Sequence, residues 1–371
     1  MNPMTLYGTP LSLYTGKARA YLIKAGIPYR EITVADPHYR EVVLPQAGTG
    51  SIPVVELPDG QVIRDGTQII EHFENTTGNT FLPSTPRQKI VSLLFDVIGS
   101  EGLLRPAMHY RWNYPDENQA FLTFHFGTNI PANMDRQKLA DATMDRMRNA
   151  GVMFGATPEN FATIERLYEA FLVHFDAHVA AHPYLLGTRA SIGDFGLIAP
   201  MYAHLGRDPY SVSLMQSKAI RVFRWVERMN RGEPDIGEFD GAEPDRYLAD
   251  DEIPETLKSL LRHIAKDFVP ETTAAAGFIN AWLDEQNPEP GTPVERGVGL
   301  CEFECEGSSF KALAQPYRFY LLKRMQDAFE ALPGSEQESV RELLESYGMA
   351  EVLNLQINRT LQFKNNREVW D

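Results

Sequence analysis

Few residues of this chain combine the types and spacing that chemistry requires. His174, His178 and His182 recur at every fourth position, which could present a metal-binding face. Four residues advance an α-helix by about 400°, so the three rings drift by ~40° per step. With no HExxH and with Pro183 ending the run, a solvated or interfacial face is expected and no metal site is expected. The two cysteines, Cys301 and Cys305, lie late in the chain, so the first 300 residues offer neither a disulfide nor a cysteine nucleophile. Both read as reduced packing residues. No GxxxxGK loop or GxSxG elbow occurs, which leaves nucleotide hydrolysis and serine-esterase chemistry without support. What remains is a group of three early hydroxyls, Tyr7, Ser12 and Tyr14, just ahead of Lys17 and Arg19. Further on come an Ile52-Pro53 step, an Asp65-Gly66-Thr67 run and an aromatic stretch over residues 103–126. Taken alone, Ser12 reads as a helix cap, Ile52-Pro53 as a trans proline opening an edge strand, and Asp65-Gly66-Thr67 as a second helix cap. The aromatic stretch, with Met108, His109, Tyr110, Trp112 and Tyr114, reads first as core.

The elements that must position these residues follow from local pattern. Residues 4–8 read as a strand. From about Tyr14 to Ala25 the apolar positions Ala18, Tyr21, Leu22 and Ala25 keep helical spacing until Gly26 stops the helix. Residues 28–34 give a second strand. Ile52 to Leu57 and Gln61 to Ile63, joined by Pro58-Asp59-Gly60, form a hairpin, and a helix runs from about Thr67 to Glu74. The order is β-α-β, a variable segment, then β-β-α. Later, residues 253–285 and 312–331 carry helical patterns, and Leu300 to Glu306 reads as a strand.

Composition restricts the function classes. The 371 residues carry a formal charge of −15, with 43 % hydrophobic and 23 % charged side chains. Binding of nucleic acid through its phosphates, or of an anionic membrane surface, needs the opposite sign. No apolar run approaches the ~18 residues of a spanning helix, and no signal peptide is visible, so a cytoplasmic location is expected. The charge is uneven: residues 1–83 carry −2, residues 84–230 carry +1 and residues 231–371 carry −14. Residues 231–256, rich in Asp and Glu interleaved with Gly and Pro, read as an exposed acidic linker.

The segments Leu6-Tyr7-Gly8, Ser12, Lys17-Ala18-Arg19, Gly26-Ile27-Pro28-Tyr29, Ser51-Ile52-Pro53-Val54-Val55 and Asp65 through Glu71 together resemble the thioredoxin-like N-terminal domain of the glutathione S-transferases. Pro183-Tyr184-Leu185-Leu186-Gly187 followed by Ser191-Ile192-Gly193-Asp194 resembles the buried capping box of that family's helical domain. The resemblance covers about residues 4–230. It implies an α/β thioredoxin-like domain over 1–83, an all-α glutathione-transferase domain over 84–230, the acidic linker over 231–256, and an unrecognised, mostly helical extension over 257–371.

The resemblance also implies chemistry, with glutathione as co-substrate. Pro53 would be a cis proline, and Ile52 would bind the cysteinyl part of glutathione through its backbone. Asp65 and Gly66 would hold the γ-glutamyl end, the N–H at a helix start binding its carboxylate and the acid its ammonium. Gly66 lacks the hydroxyl that the family usually has there, and Thr67 could replace it. The catalytic task is to hold the sulfur as thiolate near pH 7 against a free pKa of about 8.5, which means favouring the anion by ~2.7 kcal/mol for a two-unit shift. Family members of the serine type carry the hydroxyl seven residues before the Arg of a Lys/Arg-x-Arg run, where Ser12 stands. Tyrosine-type members carry it at the end of the first strand, where Tyr7 stands. Ser12 is therefore expected to be catalytic, with Tyr7 the runner-up. The electrophile, a hydrophobic small molecule, would sit between the domains, with His109, Tyr110 and Trp112 as candidate pocket residues. A homodimer is implied. The alternative function is a non-catalytic glutathione-binding or protein-interaction module that reuses the fold.

Overall fold

The computed structural model describes residues 3–78 and 80–371. Its first domain comprises β1 (Thr5–Tyr7), α1 (Leu13–Lys24), β2 (Arg30–Ile32), a short α2 (Leu44–Ala47), β3 (Val54–Glu56), β4 (Val62–Arg64) and α3 (Gly66–Thr77). The sheet order is β2-β1-β3-β4, with β1 parallel to β2 and antiparallel to β3, the thioredoxin-like arrangement. Register explains the burial. Leu6, Val55 and Ile63 stand opposite one another and join the main core with Ala18, Leu22 and Ile69. One residue along each strand, Tyr7, Val54 and Val62 point to the other face, against Tyr39 and Val43. Gly26 follows α1 at φ +65, and Gly60 turns the β3–β4 hairpin at φ +87, conformations that L side chains rarely adopt.

The rest of the chain is mostly helical. After the sheet domain come α4 (Pro86–Val97), α5 (Leu104–Trp112), α6 (Pro115–Gly127), α7 (Arg136–Val152), α8 (Phe161–Val179), α9 (Ile192–Ala203), α10 (Pro209–Lys218) and α11 (Ile220–Met229). The Ser191–Asp194 capping box opens α9. The Asp194 carboxylate accepts from Ser191 N, from Leu185 N and from Trp225 Nε1, which ties the helix start to its surroundings.

Residues from 255 onward form α12 (Glu255–Gln286), the hairpin β5 (Leu300–Cys305) and β6 (Ser308–Leu313), α13 (Pro316–Glu330), α14 (Gly334–Glu345), and the hairpin β7 (Leu361–Lys364) and β8 (Arg367–Trp370). The helix expected from residue 312 starts instead at Pro316. The preceding residues are strand because Phe310 and Ala312 alternate inward against the β5 residues Phe303 and Cys305. One hydrophobic core runs through all regions: Leu22 and Ile69 of the first domain, Leu94 and Phe175 of the middle helices, and Leu257, Phe268 and Leu322 of the extension. Helices α13 and α14 pack on α4, and α12 packs on α8.

Residues 231–256 are mostly exposed but fastened to the body. Asp235 and Glu238 pair with Arg224 and Arg228. Asp251 accepts from the N–H groups of Arg87 and Gln88 at the start of α4, at 2.8 and 2.9 Å. Tyr247 donates to the Phe81 and Ala190 carbonyls. Local acidity is thus spent on arginines and on one helix N-terminus.

Candidate functional site

The loop after β1 ends at Ser12, the N-cap of α1. Its Oγ accepts from Thr15 N at 3.2 Å, which among the described residues leaves the hydroxyl proton uncommitted in a half-buried position. Tyr7, by contrast, is 1 % exposed, and its hydroxyl donates to Glu56 Oε2 at 2.9 Å. Burial, reinforced by Glu56, pushes its phenol pKa well up.

Before β3 the Ile52–Pro53 peptide bond is cis. Thirteen positions after Ile52, Asp65 takes φ +83 and caps α3, accepting from Thr67 N at 2.8 Å and Gln68 N at 3.2 Å. Gly66 is where two segments approach closely. A Cβ there would meet the Tyr14 carbonyl oxygen at 3.3 Å and Lys17 Cδ at 3.5 Å, so a side chain would crowd α1. Thr67 is 2 % exposed and its hydroxyl is engaged by Lys17 Nζ at 3.0 Å. Lys17 in turn sits on Asp96 at 2.5 Å, and Asp96 also accepts from Arg324 of α13 at 3.1 Å.

Ile52 and Asp65 line one cavity of about 350 Å³, a volume in the range of small-molecule sites. Tyr14, Glu101 and Arg64 line it too, and so does the extension, through Arg296, Tyr317, Arg367 and Glu368 among others. The extension also bonds to the groups it faces. Tyr317 donates to both Asp65 oxygens at 3.0 Å, Glu368 pairs with Arg64, and Arg296 Nη2 donates to the Tyr14 hydroxyl at 3.2 Å. Asn366 accepts from Arg64 N and donates to the Val62 carbonyl, which seats the β7–β8 turn on β4. Residues 291–294 run beside β8, with Val294 N donating to Glu368 O at 2.9 Å, and this carries Arg296 to the cavity mouth.

Glu101 is 2 % exposed. It accepts the Tyr14 hydroxyl on Oε1 at 2.8 Å, while Oε2 has no hydrogen-bond partner among the described residues. Burial pushes its carboxyl pKa up, against the pull of Arg296. Burial likewise raises the Tyr14 phenol.

Ser12 and Tyr7 do not belong to this cavity wall, whereas Tyr14, two residues beyond Ser12, does. His109, Tyr110 and Trp112 lie elsewhere, in the helical bundle. His109 is held by Glu165 at 2.9 Å, and burial lowers its pKa. Tyr110 packs among Tyr114, Tyr168 and Tyr210, and Trp112 among Leu11, Leu122 and Met144. Their helical spacing serves packing. Sequence reasoning missed Glu101, Arg64 and every extension residue, because the contacts span up to about 300 positions; the Arg64–Asn366 bond alone spans 302. Asn365-Asn366, both at positive φ, is a hairpin-turn signal that was available for β7–β8. Among the described residues no group of three or more His, Cys, Asp or Glu is placed to hold a metal. No helix among them is long and apolar enough to cross a membrane.

The family described as glutathione S-transferase, N-terminal domain, matches residues 6–81, the segment that contains Tyr7, Ser12, Ile52 and Asp65. The first domain is a glutathione S-transferase N-terminal domain. Among solved structures, a glutathione S-transferase from Rhodospirillum rubrum F11 aligns at 15 % identity, covering 67 % of this chain and 99 % of its own, with a TM-score of 0.39. The beta-etherase LigF from Sphingobium sp. strain SYK-6 aligns at 18 % identity over 63 % of this chain and 97 % of its own, with a TM-score of 0.43. A Methylobacterium radiotolerans glutathione S-transferase in complex with glutathione sulfonate gives 15 %, 68 %, 100 % and 0.37. A search of curated proteins returns no match. Within the glutathione S-transferase N-terminal domain, the loop before β3 and the start of α3 are among the parts that line the cavity.

Proposed function

We propose that this chain is a glutathione transferase that activates the glutathione thiol for attack on a small electrophile. The observation that carries the reading is that Ile52, after which the chain turns through a cis bond, and Asp65, at the start of α3, line one cavity. Glutathione would lie along that wall, its γ-glutamyl end at Asp65 and Gly66 and its cysteine at the Ile52 backbone. Its glycyl carboxylate would then fall toward Gly48 and the exposed cation Arg367, at the other end of the cavity. Ser12 is the thiolate donor in this reading. Among the described residues its hydroxyl only accepts, from Thr15 N, and it stands at the positive end of α1, two residues before the wall residue Tyr14. Tyr7 is disfavoured because its proton is committed to Glu56.

A second reading, a glutathione-binding or interaction module without catalysis, is favoured by the Tyr317 bond that already engages Asp65. Calorimetric titration with glutathione separates the cases. Binding without turnover of any electrophile supports a glutathione-binding module, and no heat at millimolar glutathione ends the transferase reading and leaves only an interaction module. If glutathione binds, the ultraviolet absorbance of the thiolate should vanish in Ser12→Ala and persist in Tyr7→Phe. The homodimer is part of the same reading. With α4 covered by α13 and α14, a second copy must dock elsewhere, and sedimentation reads whether one chain or two travel together.

A further inference from the structure

Asp65 and Glu101 line one cavity, and the chain fastens them to each other from two sides. On one side is the first turn of α13: Tyr317 donates to Asp65, and the next residue, Arg318, donates from Nη2 to the Glu101 carbonyl at 2.9 Å. On the other is α1, where Lys17 Nζ bonds Thr67 Oγ1 at 3.0 Å and Ser100 Oγ at 3.3 Å, close in sequence to the two acids. Tyr14 of the same helix gives its hydroxyl to Glu101, while its carbonyl oxygen lies 3.3 Å from where a Gly66 Cβ would stand. Gln315, the cap residue of α13, lines the cavity as well. It is 3 % exposed, and its carboxamide has no hydrogen-bond partner among the described residues. Two buried polar side chains, Glu101 and Gln315, thus line the cavity with bonding capacity unused.

That capacity fits an ammonium. A carboxylate offers about four lone-pair sites, and an ammonium presents three N–H groups. Asp65 Oδ1 already takes Thr67 N, Gln68 N and the Tyr317 hydroxyl, whereas Oδ2 takes the Tyr317 hydroxyl alone and has room for one more donor. Asp65 by itself therefore cannot satisfy an ammonium. Glu101 Oε1 is taken by Tyr14, and Oε2 by no donor among the described residues. Burial pushes the Glu101 carboxyl pKa up, and the cations that pull against it are held by other partners: Arg296 by the Tyr14 oxygen, Arg318 by Glu271 and Lys17 by Asp96. We propose that Glu101 and Gln315 complete, with Asp65, a receptor for a primary ammonium, and so select thiols that carry a free α-amino group at the end held by Asp65. This rests on the transferase reading above, in which that group belongs to the γ-glutamyl head. Asp65 Oδ2, Glu101 Oε2 and the Gln315 carboxamide oxygen each accept one N–H. Because Gln315 comes from the extension, this selectivity belongs to the whole chain and not to the first domain.

The test compares two ligands by calorimetry on the full chain: glutathione, and its analogue with the α-ammonium replaced by hydrogen (glutaryl-cysteinyl-glycine). Wild-type protein should prefer glutathione by about 10²-fold or more, since the analogue leaves buried acceptors unpaired. Glu101→Gln keeps an oxygen for the Tyr14 hydroxyl but loses the charge, and should lower that preference by about tenfold or more, the scale of a hydrogen bond to a charged group. Gln315→Met keeps the length of the side chain and should lower it by about threefold, the scale of a neutral one. Gln315→Met also carries the test if the buried Glu101→Gln chain does not fold, which circular dichroism reports. A purely structural role weakens both ligands alike and leaves the preference where it was. A preference unchanged in either variant, or wild-type protein that binds the two ligands equally, would overturn the proposal while leaving the transferase reading standing. Wild-type protein that fails to bind glutathione overturns both.

Discussion

The two walls of the cavity are built in different ways. The first-domain wall is largely local: Ile52 and Asp65 belong to one hairpin and the helix start after it. The extension wall is assembled from side chains at positions 293–317 and 361–368, held against the first domain by Arg64, Gln68 and Glu71. A wall of the first kind can be inherited as a short motif, whereas one of the second kind exists only when the whole chain is folded. The extension is therefore structural before it is functional, and this can be tested.

The largest expected effect follows from removing residues 231–371. This strips Leu257, Phe268 and Leu322 from the shared core, and we expect a chain with no cooperative melting transition by circular dichroism. A truncated body that melts cooperatively would show that the walls are independent. Next comes Asp96→Asn, which leaves the buried Lys17 ammonium without its carboxylate while Arg324 keeps Glu71, at a cost of about 3–5 kcal/mol in urea unfolding. Leu322→Ala in the extension and Ile69→Ala in the first domain should each cost about 2–5 kcal/mol in a single transition. Two separate transitions would divide the molecule where the core is continuous.

A smaller effect concerns pH. His178 bridges Thr256 of α12 and the Leu185 carbonyl at 2.9 and 3.1 Å, and burial pushes its pKa down to about 3. Below an unfolded value of about 6.5 the unfolded chain gains a proton that the folded chain refuses. Stability from this group is present above that value and is lost as pH falls toward 3, by about 2 kcal/mol between pH 7 and pH 5. His178→Asn should flatten that part of the stability profile. The smallest change is Tyr317→Phe, about 1 kcal/mol, since Asp65 keeps its two backbone donors.

What was legible in the sequence follows the same division. The β-α-β and β-β-α units, Gly26 as a stop, the Pro58-Asp59-Gly60 turn and the Ser191–Asp194 box rest on neighbours within a few residues, and the folded chain has them. Helix α12 was legible because its apolar stripe repeats over many turns. Strand β6 was not, since six residues with two inward side chains read equally as the start of the following helix. The aromatic stretch offered a pocket or a core, and spacing alone could not say whether the facing helices closed on it. They do, around His109, Tyr110 and Trp112. The histidine run offers a solvated or interfacial face, and His178 lies against α12. Nothing local marked Arg296 as a neighbour of Tyr14.

The Lys17–Asp96–Arg324 node joins α1, α4 and α13, one helix from each region. In native-state hydrogen exchange such a node acts as a common lock. Slow amides of α1 and α13 should exchange through one opening event with one denaturant dependence, because both helices are fastened to the same buried carboxylate and to the same core.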